Sequence, residues 1–144
     1  MKANLNTAAT MINVYLQADV PVTLLGAPGL GKSDVVKQVA KENNLKLIDF
    51  RLSTADPTDL SGLPFMDDGR SIFLPNKSFP LITDALPPHT DKYGKQVLIP
   101  VLDENGNHKV DAQGQPEYNK PHYDGWLLFL DEITNAPMSV QAAA

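Results

Sequence analysis

Gly26-Ala27-Pro28-Gly29-Leu30-Gly31-Lys32-Ser33 decides how this chain is read. The spacing is G-x-x-x-x-G-K-S, the pattern of a phosphate-binding loop. Its glycines let the backbone curl so that successive N–H groups face one point, where they can cradle phosphate oxygens. The helix that follows adds the positive end of its dipole to the same point. Lys32 has the reach for β- and γ-phosphates, and the Ser33 hydroxyl suits Mg²⁺. Asp34 completes the candidate nucleotide-binding stretch 26–34.

Such a loop has to follow a strand and open a helix. Val20-Pro21-Val22-Thr23-Leu24-Leu25 is apolar and rich in β-branched residues, which predicts a buried parallel strand with Pro21 near its start. From Ser33 to Asn44, Val35, Val36, Val39 and Ala40 recur at helical spacing, with Lys37, Lys41 and Glu42 on the other side. Leu45-Lys46-Leu47-Ile48-Asp49-Phe50 reads as a second strand. The unit is therefore strand, loop, helix, strand.

A second motif lies a hundred residues on. Trp126-Leu127-Leu128-Phe129-Leu130 is an apolar run that ends in Asp131-Glu132. It predicts a strand buried on both faces, with two carboxylates at its C-terminal end, where open α/β sheets bind ligands. Asp131 is the candidate Mg²⁺ carboxylate opposite Ser33, and Glu132 the candidate base for an attacking water, with Lys32 as the catalytic cation. The adjacent Asp-Glu pair argues against a small-molecule kinase. A guanine-reading Asn-Lys-x-Asp is missing, because Asn76-Lys77 runs into Ser78-Phe79 and Asn119-Lys120 into Pro121-His122. ATP is the expected nucleotide.

On these residues the chain resembles the AAA+ ATPases. Gly26–Ser33 is similar to their Walker A segment, and the stretch after the Walker B carboxylates, Ile133-Thr134-Asn135-Ala136-Pro137 with Val140-Gln141, is similar to the MoxR branch. So are Arg51-Leu52-Ser53 and Asp56-Pro57-Thr58-Asp59-Leu60-Ser61-Gly62-Leu63-Pro64. Thr134 departs from the asparagine that many relatives carry. The resemblance implies an α/β fold of the P-loop NTPase type, three layers α/β/α around a parallel central sheet, present here in part and carrying a hairpin-rich insertion at about 65–125. It also implies ATP and Mg²⁺ as cofactors, a homo-oligomeric ring, and remodelling or maturation of protein clients. Its arginine finger and sensor residues have no counterpart up to Ala144. The strand that lies between 20–25 and 126–130 in that fold is expected after Ala144. Those two segments should then not pair directly, and the isolated chain should be poorly soluble and hydrolyse ATP barely. A nucleotide-gated binding module with negligible turnover is the alternative.

The remaining readings are bounds. The 144 residues suit one domain, and the absence of cysteine excludes disulfides and thiolate metal sites. The first residues are polar, with no signal-peptide pattern, and no apolar run is long enough to span a membrane, which points to the cytoplasm. A net charge of -5 argues against a direct nucleic-acid grip. The lysines at 32, 37, 41 and 46 read as one phosphate ligand plus a solvated helix face. Residues 6–18 predict a helix whose stripe of Ala8, Met11, Ile12, Tyr15 and Leu16 packs on the core, with Met11 or Ile12 as alternative adenine contacts. Prolines 87, 88, 100, 116 and 121 and glycines 94, 106, 114 and 125 break up any long helix between 87 and 125. There Val97–Leu102 reads as a strand. Asp-x-x-Gly at 103–106 and 111–114 predicts two successive turns. Asp103, Asn105 and Asn107 resemble a calcium loop, but His108 stands where that loop needs glycine. His89, His108 and His122 have no ligand spacing and read as surface histidines.

Overall fold

A computed structural model describes residues 4–144. The chain forms two compact units, one from the stretch up to Asp84 together with Trp126–Ala144, the other from Ala85–Gly125. The first is mixed α/β and holds both sequence motifs.

Helix α1 spans Leu5–Gln17, and Asn4 caps it by accepting the Thr7 N–H at 2.8 Å. Helix α2 spans Lys32–Glu42 and buries Val35, Val36, Val39 and Ala40. The apolar stripes of the two helices meet: Ile12, Val35 and Val39 form one core, with Ala8, Ala9, Leu16 and Leu24 against it. Ile12 is thus a packing residue, while Met11 stays exposed.

Strand β1 is Leu45–Arg51 and strand β6 is Gly125–Asp131. They pair in parallel as a two-stranded sheet. The strand expected at 20–25 does not form: the segment joins no ladder among the described residues. Its composition suits a strand, but a strand exists only when a neighbour takes its N–H and C=O groups, and β6 has β1 alone beside it. The two segments do not pair with each other, as expected, but 20–25 is no strand, so the gap expected between two strands does not arise.

A short turn of 3₁₀ helix, Leu52–Thr54, follows β1, and helix α3 follows at Pro57–Ser61. Asp56 closes a capping box: its carboxylate accepts the Thr58 N–H at 3.0 Å, and Asp59 accepts the Asp56 N–H at 2.9 Å. A second 3₁₀ turn, Ile133–Asn135, follows β6 and leads to helix α4, Met138–Ala143. Leu52, Ala136 and Val140 form the second core, with Phe50, Ala55, Leu60 and Leu130 packed on it. This core fastens the segments after β1 and β6 to each other, which places the ends of both strands side by side.

Strands β2, Leu63–Asp67, and β3, Arg70–Leu74, make an antiparallel hairpin in which Phe65 faces Ile72 and Asp67 faces Arg70. Asp68 and Gly69 turn it with φ of 43° and 72°, the left-handed pair that fits the twist of a two-residue hairpin. All ten strand residues are exposed. Gly62 sits at the hairpin base with φ of 85°, and a Cβ there would come within 2.3 Å of the Leu74 carbonyl oxygen. Only glycine fits.

The second unit has no helix and no buried residue. The expected strand at Val97–Leu102 is reduced to β4, Ile99–Pro100, paired antiparallel with β5, Tyr118–Asn119, plus a single bridge from Leu102 to His108. What organises the unit is a repeated turn, and there are three copies where the sequence suggested two. Asp91, Asp103 and Asp111 each donate their N–H to the carbonyl four residues on, at 2.8 Å. Each carboxylate accepts the N–H groups two and four residues on, at 2.8–2.9 Å. Each turn is closed by a bridge between its flanking residues: Thr90 with Gln96, Leu102 with His108, Val110 with Pro116. Backbone donors, the Asn107 N–H first, hold the Asp103 carboxyl below the usual carboxylate range. The chain enters and leaves the unit through one ladder, with the Pro88–His122 bridge and the His89 ring stacked 4.2 Å from Tyr123.

Candidate functional site

The loop Gly26–Ser33 curls as its glycines require. Gly29 and Gly31 have φ of 77° and 76°, and Gly31 is the residue from which α2 starts. Lys32 is folded back over the loop, where its Nζ donates to the carbonyls of Gly26 at 2.9 Å and Ala27 at 3.0 Å. The ammonium therefore spans the loop and holds its first carbonyls. Leu30 lies over the loop start, its Cδ1 3.3 Å from where a Gly26 Cβ would be, and is itself more than half exposed. Pro28 stands at the exposed crest of the loop. Asp34 lies in the first turn of α2, where an acid favours the helix dipole.

Ser33 and Asp131, 98 residues apart, are brought together: the Ser33 hydroxyl donates to Asp131 Oδ2 at 3.4 Å. The other oxygen, Oδ1, accepts the Glu132 N–H at 2.8 Å, which fixes the carboxylate plane. Two parts of the fold produce this meeting. The core of Ile12, Val35 and Val39 sets the start of α2, and the β1–β6 pairing sets the end of β6.

Glu132 has φ of 58°, in the left-handed region. Such a backbone costs a non-glycine residue roughly 1–3 kcal/mol and collects at functional sites. In a continuing strand Asp131 and Glu132 would point to opposite faces. The left-handed turn ends the strand between them. Glu132 Oε2 accepts a hydrogen bond from the Ser53 hydroxyl, and Oε1 lies 3.7 Å from Arg51 Nε. One carboxylate oxygen is thus bound by the turn after β1, and the other lies near the last residue of β1.

Arg51 and Ser53 were legible in the sequence only as part of a resembling segment, with no role attached. The signal that finds them is topological. In a parallel pair the two C-terminal ends lie together, so residues at and just after the end of β1 must face residues just after β6. The residues expected to form the site otherwise fall in two groups. Lys32 is hydrogen-bonded to Gly26 and Ala27, and separately Asp131 accepts from the Ser33 hydroxyl and the Glu132 N–H. Pro28, Gly29 and Leu30 make no side-chain hydrogen bond, as their chemistry dictates.

A hydroxyl and a carboxylate at hydrogen-bond range fit Mg²⁺, which keeps several waters and takes one or two protein oxygens. No group of three or more histidine, cysteine or acidic side chains is clustered for a metal among the described residues. No helix among them is long and apolar enough to cross a membrane. Comparison with protein-family models, with curated proteins and with solved structures finds no match to this chain.

Proposed function

We propose that this chain binds Mg²⁺-ATP and belongs to an ATP-hydrolysing, MoxR-like AAA+ ATPase of three-layer P-loop fold. In this reading it acts as a ring oligomer on partner proteins. The observation that carries the reading is the Ser33–Asp131 contact, because it unites the two motifs whose chemistry needs to share one ion. The loop N–H groups and the α2 N-terminus receive the phosphates. Lys32, which donates to the Gly26 and Ala27 carbonyls, would donate instead to the more strongly accepting phosphate oxygens. Ser33 and Asp131 would hold Mg²⁺, which would neutralise charge on the phosphates. Glu132 takes the proton of the attacking water.

The second reading, a nucleotide-gated module with negligible turnover, is favoured by one observation. The Glu132 carboxylate accepts from the Ser53 hydroxyl and lies 3.7 Å from Arg51 Nε, partners that a water-activating base would have to leave.

Calorimetry with Mg²⁺-ATP tests the shared premise. The natural chain should bind, and Lys32→Ala should lose tight binding because the loop loses its only point cation. Equal affinity in the two proteins refutes the phosphate site. Where both readings agree on binding, a steady-state ATPase measurement separates them.

A further inference from the structure

The three repeated turns of the second unit share one backbone design and differ at the residue before glycine. That residue is Tyr93 in the first, Asn105 in the second and Gln113 in the third. Their glycines have nearly equal φ, 79°, 81° and 78°, and a Cβ on any of them would meet nothing within 4 Å. The three positions are thus one chemical experiment with three side chains. Asn105 is exposed at its turn tip, and Asn105-Gly106 is the only Asn-Gly pair in the sequence.

The geometry points to Asn105 as a self-modification site, at which the side-chain amide converts to a carboxylate without an enzyme. The backbone nitrogen of Gly106 loses its proton and attacks Asn105 Cγ. A C–N bond forms, the amide nitrogen leaves as ammonia, and a five-membered imide results. Water then opens the imide at either carbonyl, giving aspartate or, with the main chain rerouted through the side chain, isoaspartate. Nothing is oxidised or reduced, and water is the sole co-reactant. Asparagine is a thermolabile residue for this reason. Glycine at the next position removes the Cβ that would obstruct the attack. Gln113 has the same setting, but its longer side chain must close a six-membered ring, and Tyr93 has no amide at all.

The turn also sets the rate. The Gly106 N–H donates to the Asp103 carbonyl at 3.0 Å, and this hydrogen bond has to open before the nitrogen can attack. Conversion in the folded chain is therefore slower than in the unfolded chain. The product acts back on the turn. Asp103 accepts both the Asn105 and the Asn107 N–H at 2.9 Å. Isoaspartate at 105 lengthens the path between those two donors, so one carboxylate no longer serves both. A new charge beside Asp103 and Glu104 adds repulsion. The turn at 103–107 should open while the turns at 91–95 and 111–115 stay closed.

The test is peptide mapping by mass spectrometry of the full chain aged in neutral buffer, with and without urea, combined with isoaspartate detection. The expected result is conversion at Asn105 in both samples, faster in urea, with Gln113 unchanged and with no isoaspartate signal from that peptide in Asn105→Gln. Hydrogen exchange on aged protein should show the Asn107 N–H losing protection in the converted fraction only. A folded chain that keeps Asn105 intact after the urea sample has converted overturns the site. Equal protection at Asn107 in converted and unconverted protein overturns the effect on the turn.

Discussion

Leu52→Ala probes how the second core serves the site. Leu52 is fully buried, packs with Ala136 and Val140, and directly precedes Ser53, the hydroxyl donor to Glu132. Truncation removes three carbons from a region with no solvent access. Large-to-small changes of this kind cost about 2–5 kcal/mol, rising with the volume of the cavity left behind. The neighbours Phe50, Ala55, Leu60 and Leu130 are only partly buried and can close in, which favours the lower half of that range, about 2–3 kcal/mol. For a chain of this size, each kcal/mol moves the melting temperature by roughly 3–5 °C, so the drop should be about 6–15 °C. The assay is urea unfolding followed by far-ultraviolet circular dichroism, with Ile82→Ala as a control because Ile82 is wholly exposed. The control should lie within about 0.5 kcal/mol of the natural chain. A Leu52→Ala loss below about 1 kcal/mol would mean that the segment after β1 is not fastened to α4, and the placement of Ser53 would lose its physical basis.

Glu132→Gln should leave Mg²⁺-ATP binding intact and lower any turnover about a hundredfold or more, and a change of only a few-fold in steady-state rate would assign the base elsewhere. Gly62→Ala should be far more disruptive than a surface change, because the added Cβ meets a backbone carbonyl and φ is 85°; unchanged unfolding midpoints would contradict the hairpin base described above. Asp56 supplies a pH signature: the Thr58 N–H first, then the Thr58 hydroxyl, hold its carboxyl below the ordinary value of 3.8. A depressed folded-state pKa gives stability that is complete above the unfolded value and fades as pH falls through the folded one. The stability difference between the natural chain and Asp56→Ala should thus be level from neutral pH down to the carboxylate range and shrink below 3.8; a difference that grows on acidification would reverse the assignment.

The candidate site was legible in the sequence wherever the chemistry is local. Gly31 announces the left-handed start of α2, the valines at 35, 36 and 39 announce its buried face, and the apolar run before Asp131 announces β6. Each of these depends on residues within one or two turns of chain. Periodicity and backbone conformation are short-range properties, so spacing alone carried them. The third repeated turn was also written in the sequence, as Asp91-Lys92-Tyr93-Gly94. Its aspartate and glycine alone determine the turn, whatever stands between them.

What the sequence could not determine is what depends on neighbours distant along the chain. Val20–Leu25 has the composition of a strand, yet it forms none, because strand formation is decided by whether another strand lies beside it. Arg51 and Ser53 became part of the site only when the parallel pairing of β1 with β6 put the two strand ends together. The same pairing, with the core of Leu52, Ala136 and Val140, brought Glu132 to the Ser53 hydroxyl and near the Arg51 guanidinium. Residue types set which groups could do chemistry. Packing between segments nearly a hundred residues apart decided which of them meet, since that meeting is governed by the burial of apolar faces and no local pattern records its partner.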